Sequence, residues 1–488
     1  MKRLSVLWAN SKLRLACTTR GDQDPLVQNL TFNAQQCTTH SIYVAIVGNH
    51  TDGHLFIEEA IARGARVIIH SRDCNHYDPR VTYIAHPHPR RIASLLSKSL
   101  AGPLPSTIIG VTGTDGKSTT CDFLYQLLQH QGIRCGLLTT VSMDDGTGKI
   151  ASPYRQSTPE SYILFPFLAL CKKHGLDVVI LEATSHALSN EGARLADIVF
   201  KGAVITPITS EHLEFHGTRE RYIDAKMNLV RQLCPGGWVV FAPDAHLKSC
   251  INQVADGSIK RYEATWECHV QRVTLTSRKI ELVYNKKPYA VTLPYGQSCY
   301  EQNFLCAISA VTCITGTFPD NIPNLQPIPG RFEVVPSQGP WTIIIDFAHT
   351  ARAFTLLFAH VRSMISKGRI IALFGAAGER DRSKRYPMGY AAGSACDIII
   401  LTDEDPRGES PEQIADDLER GIRDAHFSGS LMRIADRKTA IHTAVDLCQE
   451  DDVLLLLAKG HETSIAYHDH IVAWNEREIV LEVVQHAI

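Results

Sequence analysis

The chain has 488 residues, 44% of them hydrophobic, which is enough for two to four domains that each bury a core. Basic and acidic residues nearly balance at 49 and 51, so the composition carries no broad electrostatic footprint for nucleic acid or an anionic membrane. The basic N-terminus never reaches a continuous apolar run, and no later stretch approaches the roughly 18 apolar residues of a membrane span. The 14 cysteines are scattered with no C-x-x-C pair, which argues against a zinc site and for reduced thiols packed mostly in cores.

Two proline-rich breaks, at Ala101–Pro105 and from Gly316 to Gly330, interrupt the hydrophobic periodicity. They divide the chain into expected domains of residues 1–104, 105–328 and 329–488. In the first, apolar runs at Ile42–Val47 and Arg66–Ile69 flank a helix-like Phe56–Arg63, the pattern of a small α/β unit. In the second, Ile108–Val111 reads as a buried strand that feeds a glycine-rich turn and a helix from about Ser118 to Gln131. Strands at Val178–Leu181, Ala203–Thr206 and Trp238–Phe241 alternate with helix-length segments, which predicts a doubly wound, mostly parallel sheet. Tyr262–Leu293 alternates as an antiparallel extension would. The third domain repeats the βα rhythm at Ile343–Ile345, Ile370–Phe374, Ile398–Leu401 and Val453–Leu457, as in a Rossmann-like sheet.

The turn after the Ile108 strand is Thr112-Gly113-Thr114-Asp115-Gly116-Lys117-Ser118. Glycines let backbone N–H groups close on phosphate oxygens, the helix start adds partial positive charge, Lys117 can reach terminal phosphates and Ser118 can face Mg²⁺. Val111 stands where the general phosphate-loop pattern has its first glycine. Alone, this turn says only that a nucleotide binds.

The variant Gly-Thr-x-Gly-Lys-Ser resembles the signature of the Mur ligases and of the folylpolyglutamate synthases. These enzymes phosphorylate a carboxylate with ATP and let an amine attack the acyl phosphate. Further motifs are similar to the Mur pattern. Leu181-Glu182-Ala183-Thr184-Ser185-His186 looks like the family's Glu-Val-Ser-Ser-His, which makes Glu182 a Mg²⁺ ligand. Thr206 through Gly217 and then Tyr222 to Lys226 resemble the segment that makes His212 a ligand of a second Mg²⁺ and Lys226 the carbamylated lysine. Addition of CO₂ turns a metal-repelling amine into a hard anionic oxygen ligand. Asp115, Pro207, Glu211 and Glu214 depart from the family's residues at their positions.

The resemblance extends to both ends. Asn303 occupies the place of the adenine-contacting asparagine, Arg331 in Gly330-Arg331-Phe332-Glu333 that of a phosphate arginine, and Asp346 and His349 in Asp346-Phe347-Ala348-His349-Thr350 places beside the nucleotide. Phe374 to Arg385 is similar to the family's nucleotide-side loop. Val44 to His54 resembles the segment with which MurE-type members, the tripeptide synthetases, grip UDP, implicating Asn49, His50 and Thr51; Ala34 stands where a serine is common. Ser157, Thr158, Thr184 and Arg194 take the family's remaining UDP-substrate positions. Thr402-Asp403-Glu404-Asp405-Pro406-Arg407 and Lys459-Gly460-His461-Glu462 look like the Asp-Asn-Pro-Arg and Gly-Lys-Gly-His-Glu segments that bind the incoming diamino acid, here through Asp405, Arg407 and Glu462.

The resemblance therefore implies three α/β domains: one for the UDP substrate, a central ATPase, and a C-terminal domain that binds the amino acid and closes on ATP. It implies catalysis by Lys117, Glu182, His212 and Lys226, with ATP, Mg²⁺ and a carbamylated Lys226 as cofactors. The expected substrates are a UDP-N-acetylmuramoyl dipeptide and a free lysine, ornithine or diaminopimelate, joined in the cytoplasm by a monomer that needs no nucleic acid or membrane. Two other readings stay open at this point: another Mur-type or folylpolyglutamate-type ligase, and a nucleotide-binding regulatory protein without ligase chemistry.

Overall fold

The computed structural model describes residues 1–9, 16–21, 24–48, 51–74, 76–154, 156–209, 213–337 and 339–486, excluding the side chains of 213, 214 and 486. Asn49, His50 and His212, all expected in binding sites, lie outside the described residues. The chain forms two compact units, Met1–Thr265 with Leu305–Phe318, and Trp266–Phe304 with Pro319–Ile488. The fold class is α/β, as the alternation of apolar runs and helix-length segments predicts.

Besides a two-stranded pairing of Lys2–Arg3 with Leu26–Val27, the described residues of the first unit form two larger sheets. In the smaller, β1 (Thr18–Arg20), β2 (Asn29–Thr31), β3 (Ser41–Val44), β4 (Ala65–His70) and β5 (Thr82–Ala85) lie in the order β1-β5-β4-β3-β2. Helix α1 (Ile57–Ala62) follows β3, and α2 (Pro89–Ala101) packs its buried Ile92, Ala93 and Leu96 on the sheet. The larger sheet has eight strands: β6 (Thr107–Thr112), β7 (Cys135–Leu138), β8 (Ser142–Asp144), β9 (Ile150–Ala151), β10 (Val178–Glu182), β11 (Phe200–Ile205), β12 (Leu233–Phe241) and β13 (Lys260–Glu263). Their order is β9-β8-β7-β10-β6-β11-β12-β13. Helices α3 (Lys117–His130), α4 (Ser161–Lys173), α5 (Arg219–Arg231) and α6 (Ala245–Val254) make the crossovers. Only the pairings of β8 are antiparallel, and the central strands are buried on both faces, which is why they read as unbroken apolar runs. Tyr262, expected in the antiparallel extension, instead joins β13, the parallel edge of this sheet.

Register decides where chemistry can gather. Glu182 at the end of β10 lies beside Val111 of β6, and Ile205 of β11 lies beside Thr112. The segments that follow all three strands therefore leave the same carboxyl edge, where open α/β sheets bind their ligands.

In the second unit, β14 (Glu267–Val273), β15 (Arg278–Tyr284) and β16 (Lys287–Leu293) form the expected antiparallel sheet, and α7 (Ser298–Thr315) begins here before passing into the first unit at Leu305. A six-stranded sheet follows, built from β17 (Glu333–Val335), β18 (Thr342–Asp346), β19 (Ile370–Phe374), β20 (Ile398–Leu401), β21 (Ser430–Arg433) and β22 (Val453–Leu457) in the order β17-β18-β22-β19-β20-β21. All pairings but that of β17 are parallel. Its helices are α8 (Ala351–Met364), α9 (Arg385–Gly393), α10 (Pro411–Asp424), α11 (Arg437–Asp446) and α12 (Glu476–His486). None of the 14 cysteines is in a disulfide, and among the described residues no helix is long and apolar enough to cross a membrane.

Left-handed backbone at residues other than glycine occurs around the carboxyl edge of this second sheet at Phe332, Glu379, Arg407 and Ala458. Ala458, fully buried directly after β22, has φ +74° where Cβ crowds the backbone. That strain, held in place by the surrounding packing, is the kind found at ligand sites. Ala458→Gly should therefore escape the usual penalty of about 1 kcal/mol for glycine and leave stability unchanged or raised by up to about 1 kcal/mol. Denaturant unfolding measures this, and a loss of a full kcal/mol would refute strain at Ala458.

Candidate active site

Two constellations stand at the carboxyl edges of the two large sheets. The first starts at the turn between β6 and α3. Gly113, at φ +152°, has no room for a side chain, because a Cβ there would lie 1.8 Å from the Thr206 hydroxyl oxygen. That hydroxyl can donate to the carbonyl of Asp115 (2.7 Å) or, at longer range, to that of Thr112 (3.2 Å). Thr114 is tied down as well: its N–H donates to the Pro207 carbonyl (3.0 Å), and its hydroxyl accepts from the Thr209 N–H (2.8 Å) and lies 3.0 Å from the Tyr222 hydroxyl. Pro207 thus contributes through its carbonyl, an atom the exchange from asparagine leaves intact.

Helix α3 starts from Gly116 in the left-handed conformation with no side-chain cap, whereas α5 and α8 are capped by the hydroxyls of Thr218 and Thr350. The first-turn N–H groups of α3 are thereby left without a side-chain acceptor, the arrangement that favours an anion. Lys117 folds over the turn, its Nζ 2.7 Å from the Thr114 carbonyl oxygen and 3.3 Å from that of Gly113. Asp115 is exposed at the tip.

Glu182 is the hub beside this turn. Its buried carboxylate accepts three hydrogen bonds on the same oxygen, Oε2: from the Ser118 hydroxyl (2.8 Å) and from the N–H and hydroxyl of Thr140 (both 3.0 Å). Its backbone carbonyl accepts from the Thr158 hydroxyl (2.8 Å), which in turn receives the Thr184 N–H (3.1 Å). Arg194 donates to the Thr158 carbonyl at 2.9 Å, and Ser157 sits half-buried next to it. Lys226, 1% exposed, reaches the Gly113 carbonyl at 2.6 Å and lies 4.3 Å from the centre of the Tyr222 ring. The folded chain thus gathers Thr112 to Ser118, Glu182, Lys226, Thr158, Thr184 and Arg194 into one hydrogen-bonded network. Thr51 is placed apart, exposed beside the Asp52–His54–Arg72 contacts of the small sheet. Among the described residues no three His, Cys, Asp or Glu side chains group at metal-holding distance.

The second constellation is in the second unit. Gly330 (φ +66°) is required because a Cβ would meet the His461 nitrogen at 2.3 Å. Arg331 stacks its guanidinium 4.6 Å from the centre of the Phe347 ring. The Asp346 carboxylate accepts the N–H groups of Phe332 (2.6 Å) and Ala348 (2.7 Å), one on each oxygen, so its visible task is to brace this turn. His349 Nδ1 donates to the Phe347 carbonyl at 2.9 Å, and Asn303 is buried on α7.

Beyond the ends of β20 and β22, Lys459, fully buried, bridges Asp405 and Glu462 at 2.8 Å each. Asp405 also accepts the Ala466 N–H (3.0 Å) and pairs with Arg407 at 3.4 Å. Burial pushes the Asp405 carboxyl up, but the Lys459 charge and hydrogen bond outweigh it and hold the group below the usual carboxylate range. Glu404 has no such partner. Its Oε2 is buried without a hydrogen bond, in the wall of a 150 Å³ cavity also lined by Thr402, Asp403, Glu412 and Arg433, and burial raises its carboxyl to about 7. Lys459 and Glu404 were absent from the residues assigned to the amino acid. Both stand inside the motifs that carried that assignment, so adjacency to Asp405 and Glu462 was the available signal.

Glu404 ties stability to pH. Below pH 4.5 its carboxyl is protonated in folded and unfolded chains alike, but between 4.5 and about 7 only the unfolded chain ionises it, so the folded state loses stability as pH rises. Glu404→Gln removes this term, and its stability relative to the parent should climb across that window by roughly 3 kcal/mol. Parallel pH–stability curves for the two proteins would show that Glu404 is ionised in the fold at no cost.

Comparison with known proteins agrees with this geometry. Residues 111–311 match the Mur ligase middle domain, and residues 330–460 match the Mur ligase glutamate ligase domain. The UDP-N-acetylmuramyl-tripeptide synthetase of Borreliella afzelii is 36% identical over 95% of both chains. The UDP-N-acetylmuramoyl-L-alanyl-D-glutamate–2,6-diaminopimelate ligase of Geobacillus thermodenitrificans is 29% identical over 95% of this chain and 96% of its own. A solved structure of a ligase with that same diaminopimelate activity superposes with a TM-score of 0.59 at 26% identity, covering 94% of this chain and 95% of the other. The chain belongs to the Mur ligase family, the ATP-dependent ligases of peptidoglycan synthesis.

Proposed function

We propose that this ligase joins a dibasic amino acid to UDP-N-acetylmuramoyl-L-alanyl-D-glutamate in the cytoplasm, through an acyl phosphate, with residues 1–104, 105–328 and 329–488 acting as its three domains. The D-glutamyl carboxylate attacks the γ-phosphorus of ATP and ADP leaves. The amine of the amino acid then attacks the acyl carbon, phosphate departs with one carboxylate oxygen, and the amine gives up a proton. Lys117 and the uncapped start of α3 hold the phosphates and balance the charge that develops on them, so catalysis rests on placement and electrostatics. Asn303, Arg331, Asp346 and His349 serve the nucleotide, and Asn49, His50, Thr51, Ser157, Thr158, Thr184 and Arg194 serve the UDP substrate.

Magnesium fits the oxygen donors of the first constellation, because all three hydrogen bonds to Glu182 fall on Oε2 and among the described residues its other oxygen accepts none. Ser118, Glu182, His212 and a carbamate on Lys226 would hold it, and it would offset phosphate charge. Lys226→Glu should then keep more activity than Lys226→Ala, which falls by roughly 10²-fold or more, and stripping CO₂ should slow the parent enzyme. Equal loss in the two variants together with indifference to CO₂ would leave Lys226 an ordinary buried amine.

The observation that carries the choice of amino acid is the charge around Asp405. Arg407 and Lys459 are both turned onto that carboxylate, and Glu404 beside it is an acid without a partner. A site so arranged has no free guanidinium for a second substrate carboxylate and does have a buried acid for an ammonium, which favours lysine or ornithine over diaminopimelate. ATP turnover should require both the muramoyl dipeptide and an amino acid. Offered separately, lysine or ornithine should exceed meso-diaminopimelate in kcat/KM, by as much as roughly 10⁴-fold. A preference for diaminopimelate that Arg407→Ala abolishes would overturn the choice of amino acid, and turnover indifferent to the dipeptide would overturn the reaction itself.

A further inference from the structure

We propose that Glu160 is the positioning residue for the UDP-muramoyl site, setting the orientation of Arg194; this rests on the reading above that Arg194 and Thr158 face that substrate. Glu160 stands just ahead of α4, where it caps nothing with its side chain. One carboxylate oxygen, Oε1, lies between two guanidiniums: Arg194 Nη2 at 3.1 Å, and Arg90 Nε at 3.3 Å, which comes from α2 beside the small sheet. Arg194 is 6% exposed, and the same guanidinium donates to the Thr158 carbonyl at 2.9 Å. Glu160 Oε2 and Arg194 Nε are both buried and have no hydrogen-bond partner among the described residues.

Burial and the nearby Arg90 lower the proton affinity of the Arg194 guanidinium and Glu160 opposes that loss, so the carboxylate compensates a buried cation. Two guanidiniums on one carboxylate leave a net charge of about +1. That surplus suits an anionic group of the substrate. Glu160 thus does two things for a site it need not touch. It fixes the fork of Arg194 so that Thr158 keeps both its carbonyl and hydroxyl contacts, and it couples helix α2 to the hydrogen-bonded path that runs through Thr158 and Glu182 to Ser118.

Glu160→Gln keeps the shape and removes the charge. With ATP and amino acid saturating, KM for the muramoyl dipeptide should rise about tenfold while kcat and the KM for ATP stay within a factor of about three. Glu160→Asp, which keeps the charge on a shorter arm, should recover part of the loss, as a purely structural role would not require. If the Gln variant does not fold, the Asp variant carries the test alone: a raised KM for the dipeptide only supports the assignment, and an unchanged one overturns it. A fall in kcat matched by equal changes in every KM, or by the fraction unfolded, also overturns it. Calorimetry of the parent protein with the dipeptide separates the two levels, because absence of binding there defeats the functional reading and says nothing against Glu160.

Discussion

Everything at the nucleotide edge of the first unit depends on how tightly the turn after β6 is closed. Gly113 and Thr206 occupy the same small volume, so the turn has space for a methylene and no more, and the Thr206 hydroxyl donates to the Asp115 carbonyl at 2.7 Å or to that of Thr112 at 3.2 Å. Lys117 and Lys226 converge on the Gly113 carbonyl from the two sides, one carried by the helix the turn begins and the other by α5. The register of β6, β10 and β11 then decides which side chains stand beside the turn, and Glu182 is the acid that results.

The second unit solves a different problem. Its carboxyl edge must hold charged side chains in a buried setting, where an isolated ion costs several kcal/mol. Most are compensated in chains: Asp405 by Lys459 and Arg407, Lys459 also by Glu462, and Arg437 by Glu476, while the Arg437 guanidinium also takes the carbonyls at the ends of β20 and β22. Glu404 is the exception, and it is the group whose protonation the fold perturbs upward to about 7. Backbone strain collects in the same loops, at Arg407 and Ala458.

Much of this was legible in the sequence, for physical reasons. Strands buried on both faces must be apolar throughout, so Ile108, Val178, Ile370 and Val453 marked their runs without ambiguity. The phosphate turn was legible because its glycines, Lys117 and Ser118 act within a few residues of one another. Partners brought together from distant segments were not. Nothing near Glu160 in the chain points to Arg90 or Arg194, and nothing near Asp346 shows that both its oxygens are taken by backbone N–H groups. Tyr262 alternated with its neighbours as an antiparallel strand would, yet the parallel edge of the large sheet was open and captured it. Pairing energy from a whole sheet edge outweighs a local pattern of four residues.

The central claim is that a substrate carboxylate is activated by phosphoryl transfer from ATP before the amine attacks. The most direct measurement is an isotope transfer: muramoyl dipeptide labelled with ¹⁸O in the D-glutamyl side-chain carboxylate is turned over with ATP and lysine, and the released phosphate is analysed by mass spectrometry. An acyl phosphate requires one ¹⁸O atom to appear in each phosphate formed and one to remain in the new amide. Phosphate free of label would contradict the account, because ATP would then have been cleaved by water or used without ever bonding to the carboxylate.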